Sequence, residues 1–69
     1  MNLFETQYNT IYKTYYNNLM NRSIIKKCIN DANSLLKKVS ETDILYIKIE
    51  RLIVEMKQQL NFMSQIAGH

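Results

Sequence analysis

The apolar positions between Thr42 and Ile66 recur with the period of an α-helix. Such spacings keep side chains on one side of a helix. One row has alternating spacings of four and three residues: Leu45, Ile49, Leu52, Met56, Met63 and Ile66. A second row, at intervals of seven, lies beside it: Tyr46, Ile53, Leu60 and Ala67. Because the segment contains no glycine or proline, the pattern predicts one continuous helix over about residues 43–66.

A third set of apolar residues in this segment falls outside those rows. At about 100° per residue, Ile47 and Val54 point roughly opposite to Leu45 and Leu52. A helix that is apolar on more than one face needs more than one neighbour. We therefore predict that Ile44, Ile47 and Val54 contact a partner. The seam inside the molecule is assigned to Leu45, Ile49, Leu52, Met56 and Leu60.

The first twenty residues carry a tyrosine-rich apolar stripe. Its main row has spacings of four, three and four: Phe4, Tyr8, Ile11 and Tyr15. Tyr12, Tyr16 and Leu19 widen that row. Asn, Thr and Tyr have modest helix propensity, so this helix should form only if it packs on something. Two interpretations remain open: the rings cover the core and leave their hydroxyls in water, or Tyr12 and Tyr16 help to dock a partner.

The helical pattern weakens in the segment NNLMNRS, residues 17–23. The row of the first stripe next falls on the polar Asn18 and Arg22 and resumes at Ile25. Either one long helix carries a polar gap, or two helices are separated by a break near Asn21, with Asn21 or Ser23 as the cap. We favour the break.

A second polar segment, VSETD at residues 39–43, predicts a turn. Ser40 followed by Asp43 resembles a capping box, and Thr42 is the alternative cap. A connection this short between two striped helices predicts antiparallel neighbours. The expected fold is therefore all-α: a single domain, residues 1–69, forming an antiparallel helical hairpin. It comprises a helix over about 2–38 with a possible break at 20–23, a turn at 39–42 and a helix over about 43–66.

The 69-residue length limits how much apolar surface the chain can bury by itself. Cys28 is the only cysteine and His69 the only histidine, so an internal disulfide is excluded and a zinc site is not expected. Association with another chain is the remaining common way to stabilise so small a protein.

The residues that enzymes need are scarce. Gly68 is the only glycine, which excludes a glycine-rich phosphate loop, and no nucleophile–base pair is visible. Cys28 lies on an apolar stripe and is interpreted as a small buried hydrophobe. We predict no catalytic residues, no cofactor and no metal. Without a signal-peptide pattern or an apolar run of about 18 residues, a cytoplasmic location is expected.

The net charge of +3 is unevenly distributed: residues 1–38 carry +4 and residues 39–69 carry −1. A basic first half is compatible with an acidic partner or with nucleic acid. The cations that a nucleic-acid-binding regulator would use are Lys13, Arg22, Lys26, Lys27 and Lys37. No recognition-helix signature accompanies them.

The polar turn at residues 40–43, Tyr46 early in the last helix and the closing apolar run at residues 60–68 together resemble the small type III secretion co-chaperones of the YscE/PscE type. The first helix is richer in Tyr and Asn than is usual in that family. The resemblance implies a cytoplasmic helical hairpin associated with virulence. Such proteins bind a larger helical-repeat chaperone and help to keep the secreted needle subunit soluble and unpolymerised.

Three hypotheses follow from the sequence. The first is a co-chaperone or adaptor that binds a larger protein through helix-on-helix packing. The second is a homodimeric four-helix bundle with a structural or regulatory role, in which two hairpins bury the same surplus face. The third is the nucleic-acid-binding regulator, for which affinity should fall steeply with salt.

Overall fold

The computed structural model describes residues 2–67 of the chain. These residues form three α-helices and no strand: α1 (Leu3–Tyr16), α2 (Arg22–Leu36) and α3 (Ile44–Ala67). The all-α class predicted from the periodicity is therefore confirmed. His69 and Gly68 lie outside the described residues.

The first helical segment is divided where its apolar row fails. α1 ends at Tyr16, and residues 17–21 connect it to α2. The backbone of Asn21 is extended, and its Oδ1 accepts a hydrogen bond from the N–H of Ile24 at 3.1 Å. This is the geometry of a helix N-cap, which satisfies one of the unpaired amides of the first turn. The structure thus has the break, capped by Asn21, while Ser23 lies inside α2.

The second connection is longer than the sequence predicted. α2 ends at Leu36 and α3 begins at Ile44, so residues 37–43 lie between them. Asp43 Oδ1 accepts from the N–H of Leu45 at 2.9 Å, whereas Ser40 Oγ bonds Thr42. The predicted capping box and its alternative cap at Thr42 are both wrong. A carboxylate immediately before the helix is the stronger acceptor, and the helix dipole favours its charge.

The outer side of α1 carries a row of hydrogen bonds from side chains to backbone carbonyls. The hydroxyls of Thr6, Thr10 and Thr14 each donate to the carbonyl four residues earlier, at 3.3, 3.1 and 2.8 Å. Asn18 Nδ2 continues the row by donating to the Thr14 carbonyl at 2.8 Å. At the start of the helix, Asn2 Oδ1 accepts from the N–H of Phe4. We call these side chains, from Asn2 to Asn18, the threonine row.

A single core joins the three helices. The completely buried positions Ile25, Ile49 and Met56 come from α2 and α3, and α1 adds Ile11 and Tyr15. The predicted seam of α3 faces this core, with Leu60 partly buried at its edge: Leu45, Ile49, Leu52, Met56 and Leu60.

α3 is longer than the other two helices and extends past them. Its 24 residues rise about 36 Å, against about 21 Å for the 14 residues of α1. The start of α1 lies beside the start of α3, where Asn2 and Ile44 line one small cavity. The end of the α1–α2 connection reaches Gln59, whose Nε2 donates to the Leu19 carbonyl at 2.7 Å. The turns of α3 beyond Gln59 therefore extend past α1.

Ile66 marks the point where the apolar row of α3 leaves the core. It belongs to the first apolar row of α3, yet its side chain is 54% exposed. Met63, one turn earlier in the same row, is buried. The apolar row continues to Ile66 in the sequence, but α1, which ends at Tyr16, does not reach that far along α3.

Candidate interaction surfaces

Three large apolar side chains of α3 point away from the core. The exposed fractions are 74% for Ile44, 49% for Ile47 and 54% for Val54. Ile47 and Val54 are seven residues apart, which places them within about 20° of each other around the helix and about 10 Å apart along it. We call Ile44, Ile47 and Val54 the outer face. Their exposure agrees with the pattern from which a partner contact was predicted.

The sequence left open whether the tyrosines of α1 cover the core or help to dock a partner, and the structure places them in different surroundings. Tyr15 is buried in the core, while Tyr12 and Tyr16 are 43% and 40% exposed. The rings of Tyr8, Tyr12 and Tyr16 follow one another along α1, with centroid distances of 6.0 and 4.6 Å. We call these three residues the tyrosine ridge. Such tilted pairs are favourable arrangements of aromatic quadrupoles.

The carboxylate of Glu55, on α3, forms a hydrogen bond with the last residue of the tyrosine ridge. The Tyr16 hydroxyl donates a hydrogen bond to Glu55 Oε2. That bond raises the pKa of Tyr16, because ionisation would both break it and place two negative charges together. Burial raises the pKa of Tyr15, with a further contribution from Glu55. Glu55 therefore links α1 to α3 at the residue next to Val54.

The candidate residues do not all form one continuous patch. Ile44 lies beside the start of α1, in the cavity that Asn2 and Glu5 also line. Tyr16 lies at the other end of that helix, against Glu55. Because consecutive helix residues are turned by about 100°, Val54 points roughly at right angles to Glu55, which is the residue that Tyr16 reaches. The outer face and the tyrosine ridge are thus neighbouring surfaces on two helices.

The structure also exposes an apolar cluster that the sequence did not assign to a partner. It lies at the end where α3 extends past α1, and we call it the apolar end: Leu19, Met20, Phe62 and Ile66. Periodicity could not reveal it, because the exposure depends on where α1 stops. The sequence did hold one signal: the predicted segment before the break near residue 20 is shorter than the predicted last helix over about 43–66.

Burial raises the pKa of the Cys28 thiol, and nearby Asp31 adds to that shift, so the neutral thiol is favoured. Within residues 2–67, no three His, Cys, Asp or Glu side chains are grouped so that they could hold a metal ion. None of the three described helices combines the length and apolarity that crossing a membrane requires.

No protein-family model, curated protein or solved structure matches this chain.

Proposed function

We propose that this chain is a small cytoplasmic co-chaperone or adaptor that binds a larger helical-repeat protein through the outer face of α3. The observation that carries the proposal is the exposure of Ile44, Ile47 and Val54 on a helix whose opposite side already fills the core. Large apolar groups that do not serve the fold commonly mark an interaction surface.

The energies involved indicate how such a complex would be built. Full burial of an Ile or Val side chain contributes about 1.5–3 kcal/mol, and Ile47 and Val54 are already about half covered. Covering each of them would therefore add about 1 kcal/mol, which is small beside the entropic cost of association. A stable complex thus needs Ile44 and a second surface as well. The exposed rings of Tyr12 and Tyr16 are our candidates for that second surface.

In this proposal α2 and α3 act as the antiparallel hairpin, with α1 packed along it. A helical-repeat partner offers parallel grooves into which one side of α3 can pack, as in other helix-in-groove complexes. The resemblance to type III secretion co-chaperones suggests the cargo, a needle subunit that the two proteins together keep from polymerising.

Affinity capture from the native cell tests this function. The tagged chain should recover a helical-repeat chaperone together with a small needle-like subunit. Ile47→Glu and Val54→Glu should each abolish that recovery, because a buried, unpaired carboxylate is costly. Asn30→Glu, an equal change of charge on the exposed side of α2, is the matched control and should leave recovery unchanged.

Circular dichroism separates loss of binding from loss of fold. All three variants should keep the helicity of the unmodified chain, since the replaced side chains are exposed. Collapse of helicity in Ile47→Glu or Val54→Glu would show that those residues belong to the core, and it would contradict the proposal. Recovery of the protein without any partner would contradict it as well.

Self-association is the second candidate, and the apolar end favours it. Leu19, Met20, Phe62 and Ile66 are exposed together at one end of the molecule, where a second copy could cover them. Sedimentation over a range of concentrations distinguishes the two candidates. A mass that rises towards twice 8.2 kDa, and that Phe62→Glu returns to the monomer value, would support the homodimer.

A further inference from the structure

A groove between the start of α2 and the end of α3 is lined by basic side chains from both helices. Arg22 and Lys26 come from α2, and Lys57 comes from α3. The groove is shallow and open to solvent, with a volume of about 550 Å³. These residues lie far apart in the sequence, and the packing of α2 against α3 is what brings them together.

None of the groove cations forms an ion pair within the described part of the chain, although Glu55 lies two residues before Lys57. The segments around it, residues 17–27 and 56–67, contain no Asp or Glu. Among residues 2–67 the ion pair joins Lys27 to Asp31 at 3.2 Å, and it involves none of the groove cations. The first turn of α2 also lacks an acidic residue, so no side-chain carboxylate there balances the positive end of the helix dipole.

The uncharged residues that line the groove add hydrogen-bond donors to its positive charge. The side chains of Gln58, Asn61 and Ser64 contribute amide and hydroxyl donors from α3. An ionised carboxylate only accepts hydrogen bonds, and it pairs best with a combination of cations and neutral donors. The groove therefore provides both kinds of group that a row of carboxylates requires.

We propose that this groove binds a glutamate- or aspartate-rich segment of a partner protein. Charge complementarity selects this occupant over nucleic acid. No aromatic ring lines the groove, so bases would find nothing to stack on. Three cations would also neutralise only a few phosphates of an extended strand. The inference does not rest on the proposed function, because it needs the cations of the groove and none of the side chains of the outer face. The groove lies further along α3, where Asn61, seven residues after Val54, continues the same side of the helix.

Fluorescence anisotropy with a labelled peptide of repeated Glu-Glu-Leu-Ala units tests this groove. At low salt the full chain should bind that peptide and should bind its Gln-Gln-Leu-Ala counterpart at least about tenfold more weakly. The triple variant Arg22→Gln, Lys26→Gln, Lys57→Gln should lose about tenfold or more in affinity for the acidic peptide. Added salt should weaken binding by the unmodified chain, because the groove is exposed.

A matched triple variant controls for net charge. Lys37→Gln, Lys38→Gln, Lys48→Gln removes the same charge from exposed positions outside the groove and should retain affinity within about twofold. Equal losses in the two triple variants would overturn the proposal, because net charge would then explain the attraction. It would also be overturned by no binding of the acidic peptide at low salt, or by tighter binding of a labelled single-stranded oligonucleotide. Circular dichroism checks that both variants keep their helices.

Discussion

Two isoleucines of α3 show how position around a helix decides the role of a residue. Ile47 and Ile49 have the same side chain and are separated by one residue, yet Ile47 is 49% exposed and Ile49 is completely buried. A separation of two residues turns the side chain by about 200°. One therefore faces solvent while the other fills the centre of the core.

Truncation of these two residues gives a matched test at the residue scale. Ile49→Ala should lower the free energy of unfolding by about 2–5 kcal/mol, because it leaves a cavity among packed neighbours. Ile47→Ala should change it by about 1 kcal/mol or less, since the removed atoms are half in water already. Urea denaturation followed by circular dichroism measures both. Similar losses in the two variants would show that Ile47 serves the core and would weaken its assignment to the outer face.

The side-chain directions on α3 could be predicted because they depend only on helical periodicity. That is why the exposure of Ile47 and Val54 and the burial of Leu45 and Met56 agree with the sequence. Ile66 could not be placed in the same way, because its exposure depends on where another helix ends. The basic groove was hidden for a similar reason: Lys57 joins Arg22 only after α2 packs against α3.

At the scale of elements, short polar side chains set where the helices begin. Asn21 and Asp43 each accept a hydrogen bond from an amide of the first turn that follows them. The sequence indicated the break near Asn21, since its apolar row failed there. It did not indicate which of several adjacent polar residues would cap α3, because Ser40, Thr42 and Asp43 are all chemically competent.

Loss of the Asn21 cap should destabilise the start of α2. Asn21→Ala removes the acceptor of the Ile24 amide and should lower the free energy of unfolding by about 1 kcal/mol. Asn30→Ala makes the same chemical change at an exposed position inside α2, where alanine has the better helix propensity, so that variant should be neutral or slightly stabilised. Thermal unfolding of both variants checks this. Equal stability would mean that packing, and not the cap, fixes the start of α2.

The described molecule is elongated as a whole. Its extents are 44 × 19 × 14 Å, and its Cα radius of gyration is 12.6 Å, against about 11 Å for an average compact domain of this length. The reason is the length of α3, which α1 covers only in part. α1 packs mainly on α2 and has a smaller contact with α3. The Tyr16–Glu55 hydrogen bond is one of the contacts that link α1 to α3, beside the core packing of Ile11 and Tyr15.

That link should give the whole molecule a characteristic alkaline pH dependence. The pKa of Tyr16 is raised in the folded chain above the value of about 10 expected when unfolded. Below pH 10 the hydroxyl is protonated in both states, and the bond contributes fully. Above about pH 10 the unfolded chain releases the proton more readily, so the free energy of unfolding falls as the pH rises. Burial raises the pKa of Tyr8 and Tyr15 as well, which adds to this trend.

Tyr16→Phe should lower the free energy of unfolding by about 0.5–1 kcal/mol near neutral pH, a small value because solvent screens an exposed bond. It should also reduce the loss of stability above pH 10. Tyr12→Phe is the control: the Tyr12 hydroxyl has no recorded hydrogen bond among the described residues, although its ring packs in the same ridge. Denaturation curves across the alkaline range measure both variants. If the free energy of unfolding of Tyr16→Phe fell above pH 10 as steeply as that of the unmodified chain, the Tyr16–Glu55 bond would not be the cause of that fall.

The threonine row has its hydroxyl donors already engaged, which limits what it can offer to another molecule. The hydroxyl hydrogens of Thr6, Thr10 and Thr14 are already donated to backbone carbonyls. Beside Thr6 and Thr10, an incoming molecule would therefore take its hydrogen-bond donors from Gln7 and Lys38, which line the same cavity. The threonines themselves would offer methyl groups and oxygen lone pairs, so they would contribute acceptors and apolar contact to a complex, and no donors.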